Sequence, residues 1–379
     1  MPTYRPNRLL DHFATLPDPR VERTKRHGLG DILTMTLCAV LCGADSWVEV
    51  EAFGHAKEAW LRSFLDLPNG IPSHDTFGRV FAALDATAFE ACFLAFVREL
   101  VPDPTGERIA IDGKVLRGSA AQAAGRSPLT LVSAWAADAR VVLGQVAVAE
   151  DSNELTAIPA LLDMLTLTGS VVTIDAMGCQ SAIAQTIRDQ GADYILELKA
   201  NHTRLHDAVE TYFAEAEREA WAGVPHQAHT TVDGGHGRVE VRRYWIAADP
   251  ALVAYLDPGG IWAGLSSVGM VQRARHTPSG TSRETHYYLT SIAANARQFA
   301  ASVRDHWGIE NRVHWVLDLA FREDESRVRQ RQAAENLAIL RRLALTLLRA
   351  DTTTKAGLKA RRLKAGWDER YLLHILHGH

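Results

Sequence analysis

Cysteine is scarce in this chain, with four in 379 residues: Cys38, Cys42, Cys92 and Cys179. That is too few for a disulfide framework. Cys38 and Cys42 lie four apart on a predicted helix face, but no second Cys/His pair at zinc-ribbon spacing accompanies them. Their expected use is as small core hydrophobes. Long apolar runs are also missing. The longest, "ILTMTLCAVLCGA" (Ile32 to Ala44), is too short to span a bilayer. No apolar stretch follows Arg5 and Arg8, so no cleavable signal peptide is expected, and the chain reads as soluble and cytoplasmic with no membrane partner. No G-x-G-x-x-G follows a predicted strand, and there is no Walker loop, H-E-x-x-H or G-x-S-x-G, which removes dinucleotide, P-loop, zincin and serine-hydrolase chemistry. Internal repeats and low-complexity tracts are absent too.

A strong charge of either sign is lacking as well. The formal net charge of −4 does not announce a nucleic-acid binder, but its distribution is uneven. From Arg327 onward there are twelve Lys/Arg against four Asp/Glu, a net of +8, which leaves −12 on the preceding 326 residues. The basic stretches "RVRQR" and "KAGLKARRLKAGW" suit a phosphate backbone or, equally, a solvated helix face.

What the chain does have is apolar content near half of its residues, enough for two or three domains at this length. Residues 1–100 read as all helix. "DILTMTLCAVLCG" is a buried helix, "SWVEVEAFGHAKEAWLRSFLDL" opens on a Ser46 cap, and a further helix capped by Ser73 or Asp75 follows the break at Pro68, Asn69, Gly70 and Pro72. Helix, turn, helix is the outline of a DNA-reading module, and also of any helical bundle. From 101 to 212 the pattern is three strands able to pair as a meander, then helix, strand, helix, strand. The first helix of that set, "TAIPALLDML", is expected to be capped by Thr156, with Pro159 in its first turn. Residues 213–292 read as a β-rich insertion of two hairpins, turning at Gly234-Gly235 and at Pro278-Ser279-Gly280. Helix returns over 293–350, and 351–379 forms a basic tail. An α/β layer flanked by helices fits this order best.

Two apolar runs end on an acid. "IAID" closes on Asp112 and "VVTID" on Asp175, each followed within three residues by glycine. Asp-Gly is a common turn pair, so two unrelated turns are one explanation. The other is that adjacent strand ends set two carboxylates side by side. Like charges that close need a cation or a shared proton, and pairs of hard divalent ions ~3.5–4 Å apart serve phosphoryl transfer in such settings. His306, Glu310 and His314 share one predicted helix face, but they span two turns, too far to meet easily at a single zinc ion.

Over nearly its whole length the chain resembles the H-repeat-associated transposases of bacterial insertion sequences. The resemblance lies in "HGLGDILTMTLCAVLCGADSW", "FLDLPNGIPSHDTFGRVF", "IAIDGKVLRGS", "VVTIDAMGCQSAIAQTI", "ADYILELKANH", "RDHWGIENRVHWVLDLAFREDESRVR" and "ENLAILRRLAL". It implies a DDE enzyme with a ribonuclease-H-like mixed sheet that cleaves and joins double-stranded DNA, working as a homodimer on element ends and target, in the cytoplasm at the nucleoid. It also implies two Mg²⁺ or Mn²⁺ ions per site, held by Asp112, Asp175 and Glu310. The broader transposase group surrounds that glutamate with tyrosine, arginine and lysine at positions that here hold Val303, His306 and Leu317. Phosphate contact is therefore expected from His306, Lys199, Lys114 and Arg117, with Arg327 and Arg329 from the basic end. Each of these can equally be an ordinary surface charge. The rival expectations are a DNA-binding protein that has lost transposition and a metal-dependent nuclease of the same core.

Overall fold

The computed structural model describes residues 9–120, 125, 127–235 and 237–377. The chain opens in helices: α1 (Leu9–Phe13), α2 (Leu29–Leu41), α3 (Trp47–Ala56), α4 (Glu58–Leu61), α5 (His74–Ala83) and α6 (Ala86–Leu100). Ser46 caps α3 in a reciprocal box with Glu49, which satisfies two otherwise unpaired backbone donors. Every residue of α2 from Ile32 to Leu41 is buried, as expected of a helix that is apolar all round.

Nine strands then build one mixed sheet. They are β1 (Arg108–Leu116), β2 (Leu129–Ala136), β3 (Val141–Ala147), β4 (Val171–Ile174), β5 (Asp193–Leu198), β6 (His226–Gly235), β7 (Arg238–Ala247), β8 (Ser267–Thr277) and β9 (Gly280–Thr290). Their spatial order is β3-β2-β1-β4-β5-β9-β8-β7-β6. The first three pair antiparallel, while β1, β4 and β5 are mutually parallel. Helices α7 (Glu154–Met164) and α8 (Ser181–Asp189) make the two crossovers that parallel pairing requires. The second hairpin turns at Pro278-Ser279 as expected, whereas Gly234 and Gly235 still belong to β6, paired with Val239 and Arg238, so the first turns just beyond them. The two do not form a sheet of their own. β9 pairs antiparallel with β5 from Ile195↔Thr290 to Leu198↔Tyr287, so the hairpins extend the central sheet. Helix α9 (Thr203–Arg218) packs against β9, and α10 (Pro250–Leu256) lies in the connection between β7 and β8.

After β9 the chain runs through α11 (Ala296–Ile309), a π-helical turn (Glu310–His314), α12 (Trp315–Phe321), α13 (Arg331–Ala350), α14 (Leu358–Trp367) and α15 (Glu369–His377). α11 packs on β1 and β4, whereas α13 lies along α2, α5, α6 and β3. The apolar core therefore runs unbroken from the N-terminal helices into the sheet. The basic end is also folded rather than an open tail. Arg362 is buried and donates to the Val40 carbonyl at 2.7 Å and to Asp45 at 3.3 Å. Arg361 donates to the Leu348 and Asp351 carbonyls. Much of the positive charge counted there closes helix ends inside the molecule, while Lys355, Lys359 and Arg370 stay exposed.

One buried ion network ties the sheet to the C-terminal helices. Glu323 is fully buried. One of its carboxylate oxygens accepts from Arg342 at 3.0 Å and the other from Lys114 at 3.1 Å. Lys114 also donates to Asp318 and to the His314 carbonyl. Burial alone would push Glu323 up, but Arg342 and Lys114 outweigh it and hold the carboxyl down at about 2. Its contribution is accordingly present above the ordinary glutamate range and is lost only as pH falls through about 2. Glu323→Gln leaves the buried Arg342 without its counter-ion and Lys114 with Asp318 alone, and is expected to cost ~3–5 kcal/mol, read by urea denaturation. The exposed neighbour Glu325→Gln is the control, and equal effects from the two would contradict the network's role.

Candidate active site

The site starts from a register. β1 and β4 pair in parallel through Ile111↔Ile174, so the next residue on each strand is an aspartate, Asp112 and Asp175. Neighbouring strands lie about 4.8 Å apart, which makes the two acids neighbours in space. Their local settings differ from the expectation of two strand ends. β4 does stop at Ile174, and Asp175 then opens a turn, its Oδ1 accepting from the Met177 and Gly178 amides at 3.2 and 3.3 Å. β1 does not stop. It continues past Asp112, which faces Ser133, as far as Leu116 opposite Leu129. Asp112-Gly113 is therefore extended strand and not a turn, because β2 keeps supplying hydrogen-bond partners after β4 has ended.

Glu310 arrives from the other direction, at the junction of α11 and the π-helical turn. Asp112, Asp175 and Glu310 line one cavity of about 130 Å³, together with Thr173, Glu197, Lys199 and His306. Asp112 is mostly buried, and burial together with the charges of Asp175 and Glu310 pushes its carboxyl up to about 7. Among the described residues no lysine or arginine pairs with any of these three acids. Asp112 and Asp175 are partly buried and Glu310 is exposed at the cavity mouth, and carboxylates converging on one cavity without a lysine or arginine partner are a donor set for a hard cation. The three are not drawn tightly together. Among the described residues the group of ligand atoms within 4.8 Å of one another is His206, Asp207 and Glu210, on the partly exposed first turns of α9.

The π turn matters because it widens one turn of helix at the point facing β1. Glu310 and His314 both reach Asp112's surroundings, while Val313, Leu317 and Phe321 stay fully buried. His314 Nδ1 lies 3.4 Å from Asp112 Oδ2. Burial, with Arg342 and Lys114 nearby, drops the His314 ring to about 3, so a neutral imidazole stands beside Asp112. His306 is held by Thr173 Oγ1 at 3.1 Å, and burial also lowers its basicity.

The basic residues expected to meet phosphate fare unevenly. Lys114 is buried and committed to Asp318 and Glu323, and neither it nor Asp318, which accepts its hydrogen bond, lines the cavity. Lys199 lines the cavity and pairs with Glu197 at 3.1 Å. Glu197 also accepts from His286 at 2.7 Å; against the upward push of burial, these two bonds hold it below the usual range. Arg117 is largely exposed and leans on Asp324 at 3.6 Å. Arg327 and Arg329 are exposed beyond α12. The sequence reading missed a larger groove of about 530 Å³ between the extended sheet and α11, which shares Trp307, Val303 and Tyr288 with the acidic cavity. Arg238, Arg242, Arg273, Arg304 and Arg312 line it, against Asp233, Glu240 and Asp305. Arg238 and Arg242 on β7 and Arg273 on β8 share one face of the sheet, while Arg304 and Arg312 come from α11 and the π turn. The period-2 signal of the β7 pair was present in "RVEVRRYW".

The raised Asp112 carboxyl has a sign that can be checked. Its favourable contribution is fully present below about pH 4, where folded and unfolded chains both hold the proton. It is lost as pH rises through about 7. In chelator, Asp112→Asn is expected to be more stable than the parent above pH 7, with the difference vanishing near pH 4. Urea denaturation across that range checks it, and a pH-independent difference would sink the assignment.

Comparison with known proteins places the whole chain. The family described as "Transposase DDE domain" matches residues 77–347, and "DDE_Tnp_1-associated" matches residues 10–97. A protein named "Putative transposase YncI", from Escherichia coli O157:H7, is 39% identical over 371 residues, covering 97% of this chain and 94% of its own length. "H repeat-associated putative transposase YhhI", from Escherichia coli K12, is 36% identical over 98% of both chains. A short relative named "Inactive transposase YbfQ", from the same strain, is 42% identical over 73 residues, which is 19% of this chain. With its helical N-terminal region and its acid-bearing sheet both matched, this chain belongs to the DDE transposase family of insertion sequences.

Proposed function

We propose that the protein cleaves and joins the ends of a DNA element by divalent-metal-dependent phosphoryl transfer, with Asp112, Asp175 and Glu310 as the metal-holding carboxylates. The observation that carries this reading is that the three acids share one cavity, free of basic partners among the described residues, at the end of an arginine-lined groove. Strand order supports the same reading. Three antiparallel strands followed by two parallel ones, β3-β2-β1-β4-β5, is the arrangement expected of a ribonuclease-H-like core, with β6–β9 added at its edge.

The acids suit Mg²⁺ or Mn²⁺, and two such ions bound there would neutralise charge on the scissile phosphate and activate the attacking hydroxyl. The chain's own groups do the rest. Asp112 and Asp175 come from adjacent strands of a buried sheet, so their spacing is fixed before substrate arrives. His314, neutral, packs its Nδ1 edge 3.4 Å from Asp112 Oδ2 and limits where that carboxylate can swing. Lys199, on the cavity wall, offers a cation to a phosphate oxygen. The arginine groove takes the duplex backbone leading to the cut. Attack by water on the end phosphodiester releases a 3′-hydroxyl. Attack by that hydroxyl on a target phosphodiester then joins the strands, each step exchanging one P–O bond for another with no covalent link to the protein. Retention of all three acids favours a working enzyme over a derivative that only binds DNA.

Asp112→Ala and Asp175→Ala are each expected to abolish cleavage of element ends in Mg²⁺ while leaving DNA affinity within about twofold. Near-parental cutting by either would overturn the assignment. A strand-transfer assay on pre-cleaved ends separates a transposase from a nuclease, since only the former joins them. Arg304→Gln and Arg312→Gln, both on the groove, should weaken DNA binding. Together they should flatten the slope of log affinity against log salt by about 0.9 for each phosphate left without its arginine. An unchanged slope would remove the groove from the DNA path.

A further inference from the structure

The acids around the cavity are not limited to three. Helix α7 begins at Glu154, capped by Asn153, whose side chain accepts from the Leu155 amide at 3.0 Å. This start, earlier than the Thr156 cap expected from sequence, puts Glu154 in the first turn. Its carboxylate fills the space where a side chain on Gly113 would be. A Cβ built on Gly113 would stand 2.1 Å from Glu154 Oε1 and 2.3 Å from its Cδ. Successive residues of a strand point to opposite faces. Asp112 turns toward His314 on the π turn, so Gly113 opens toward α7 on the other face. Glycine at 113 is a window through which an acid from the far side of β1 reaches the strand that carries Asp112.

The electrostatics agree with that placement. Glu154 is among the charges that raise Asp112, and burial together with the charge of Asp175 raises Glu154 in turn. Among the described residues Glu154 has no ion pair, and no side chain or amide donates to it. An acid at a helix start is ordinarily explained by the helix dipole. That explanation does not account for a glycine-shaped opening, nor for steering the acid toward two others.

We propose that Glu154 is a fourth carboxylate of the metal site, joining Asp112, Asp175 and Glu310 from the opposite face of the sheet and supplying a hard oxygen to a divalent ion. This rests on the metal-dependent reading above. It gives Gly113 a role beyond backbone freedom, since any side chain there would push the fourth ligand away.

The test is calorimetric titration of Mn²⁺ into the full chain without DNA, paired with the melting temperature in chelator and in saturating Mn²⁺. Glu154→Gln is expected to weaken Mn²⁺ binding about tenfold or more and to shrink the metal-induced rise in melting temperature. In chelator it should melt no lower than the parent, because a repelling charge has been removed. Gly113→Ala, which keeps every charge but displaces the Glu154 carboxylate, should weaken binding in the same way, so the result does not hang on one variant. A purely structural acid predicts the reverse for Glu154→Gln: a lower melting temperature in chelator and an unchanged Mn²⁺ isotherm. That result overturns the proposal. Asp112→Asn separates the two levels. If it loses Mn²⁺ binding while Glu154→Gln keeps it, the metal site stands without a fourth ligand. If neither loses binding, the metal-dependent reading fails with it.

Discussion

The parallel pairing of β1 with β4 is the constraint on which the rest of the site depends. Its last rung is Ile111↔Ile174, so hydrogen bonding between two buried strands, and not any attraction between the side chains, sets Asp112 beside Asp175. The acids repel one another, and burial makes that repulsion stronger. A flexible loop would relieve it by moving apart. Here the apolar residues before each acid, Ile109 to Ile111 and Val171 to Ile174, are almost wholly buried, and the sheet holds the pair against its own charge.

A second layer of control reaches the acids from the C-terminal helices. Lys114, two residues past Asp112, is anchored by Glu323 and Asp318, and Glu323 is anchored in turn by Arg342 of α13. Burial, reinforced by Arg342 and Lys114, lowers the basicity of His314 and keeps a neutral ring beside Asp112. A lysine that reads in the sequence as a phosphate contact thus serves as an internal strut. The helices after the π turn bear on the acids without entering the cavity.

Legibility from sequence followed the range of the interactions involved. Apolar runs ending in acid marked Asp112 and Asp175, since strand burial and alternation are local signals. Both hairpins were visible for the same reason, in glycine and proline punctuation between alternating stretches. What stayed hidden depended on contacts between distant segments. Whether β1 would end at Asp112 was decided by β2, whose partners continue to Leu129. The β6–β9 hairpins read as an insertion with no stated neighbour because nothing in their own residues records the pairing of β9 with β5. Glu154 went unseen because Thr156 and Pro159 suggested a later helix start, while Asn153, the actual cap, sat just upstream. The basic end looked like a tail because burial of Arg362 and Arg342 shows only in three dimensions.

The continuity of the sheet has one more consequence. From β3 to β6 every strand is hydrogen-bonded to the next, so the arginine groove and the acidic cavity are marks on a single ruler. Lengthening a hairpin at its tip, near Gly234 or Ser279, leaves the graduations where they are. Slipping β9 by one residue against β5 moves every mark beyond it and turns each side chain to the opposite face. Variation in this lineage should therefore gather at the hairpin tips and spare their bases, where a single inserted residue would change the distance between where DNA is held and where it is cut.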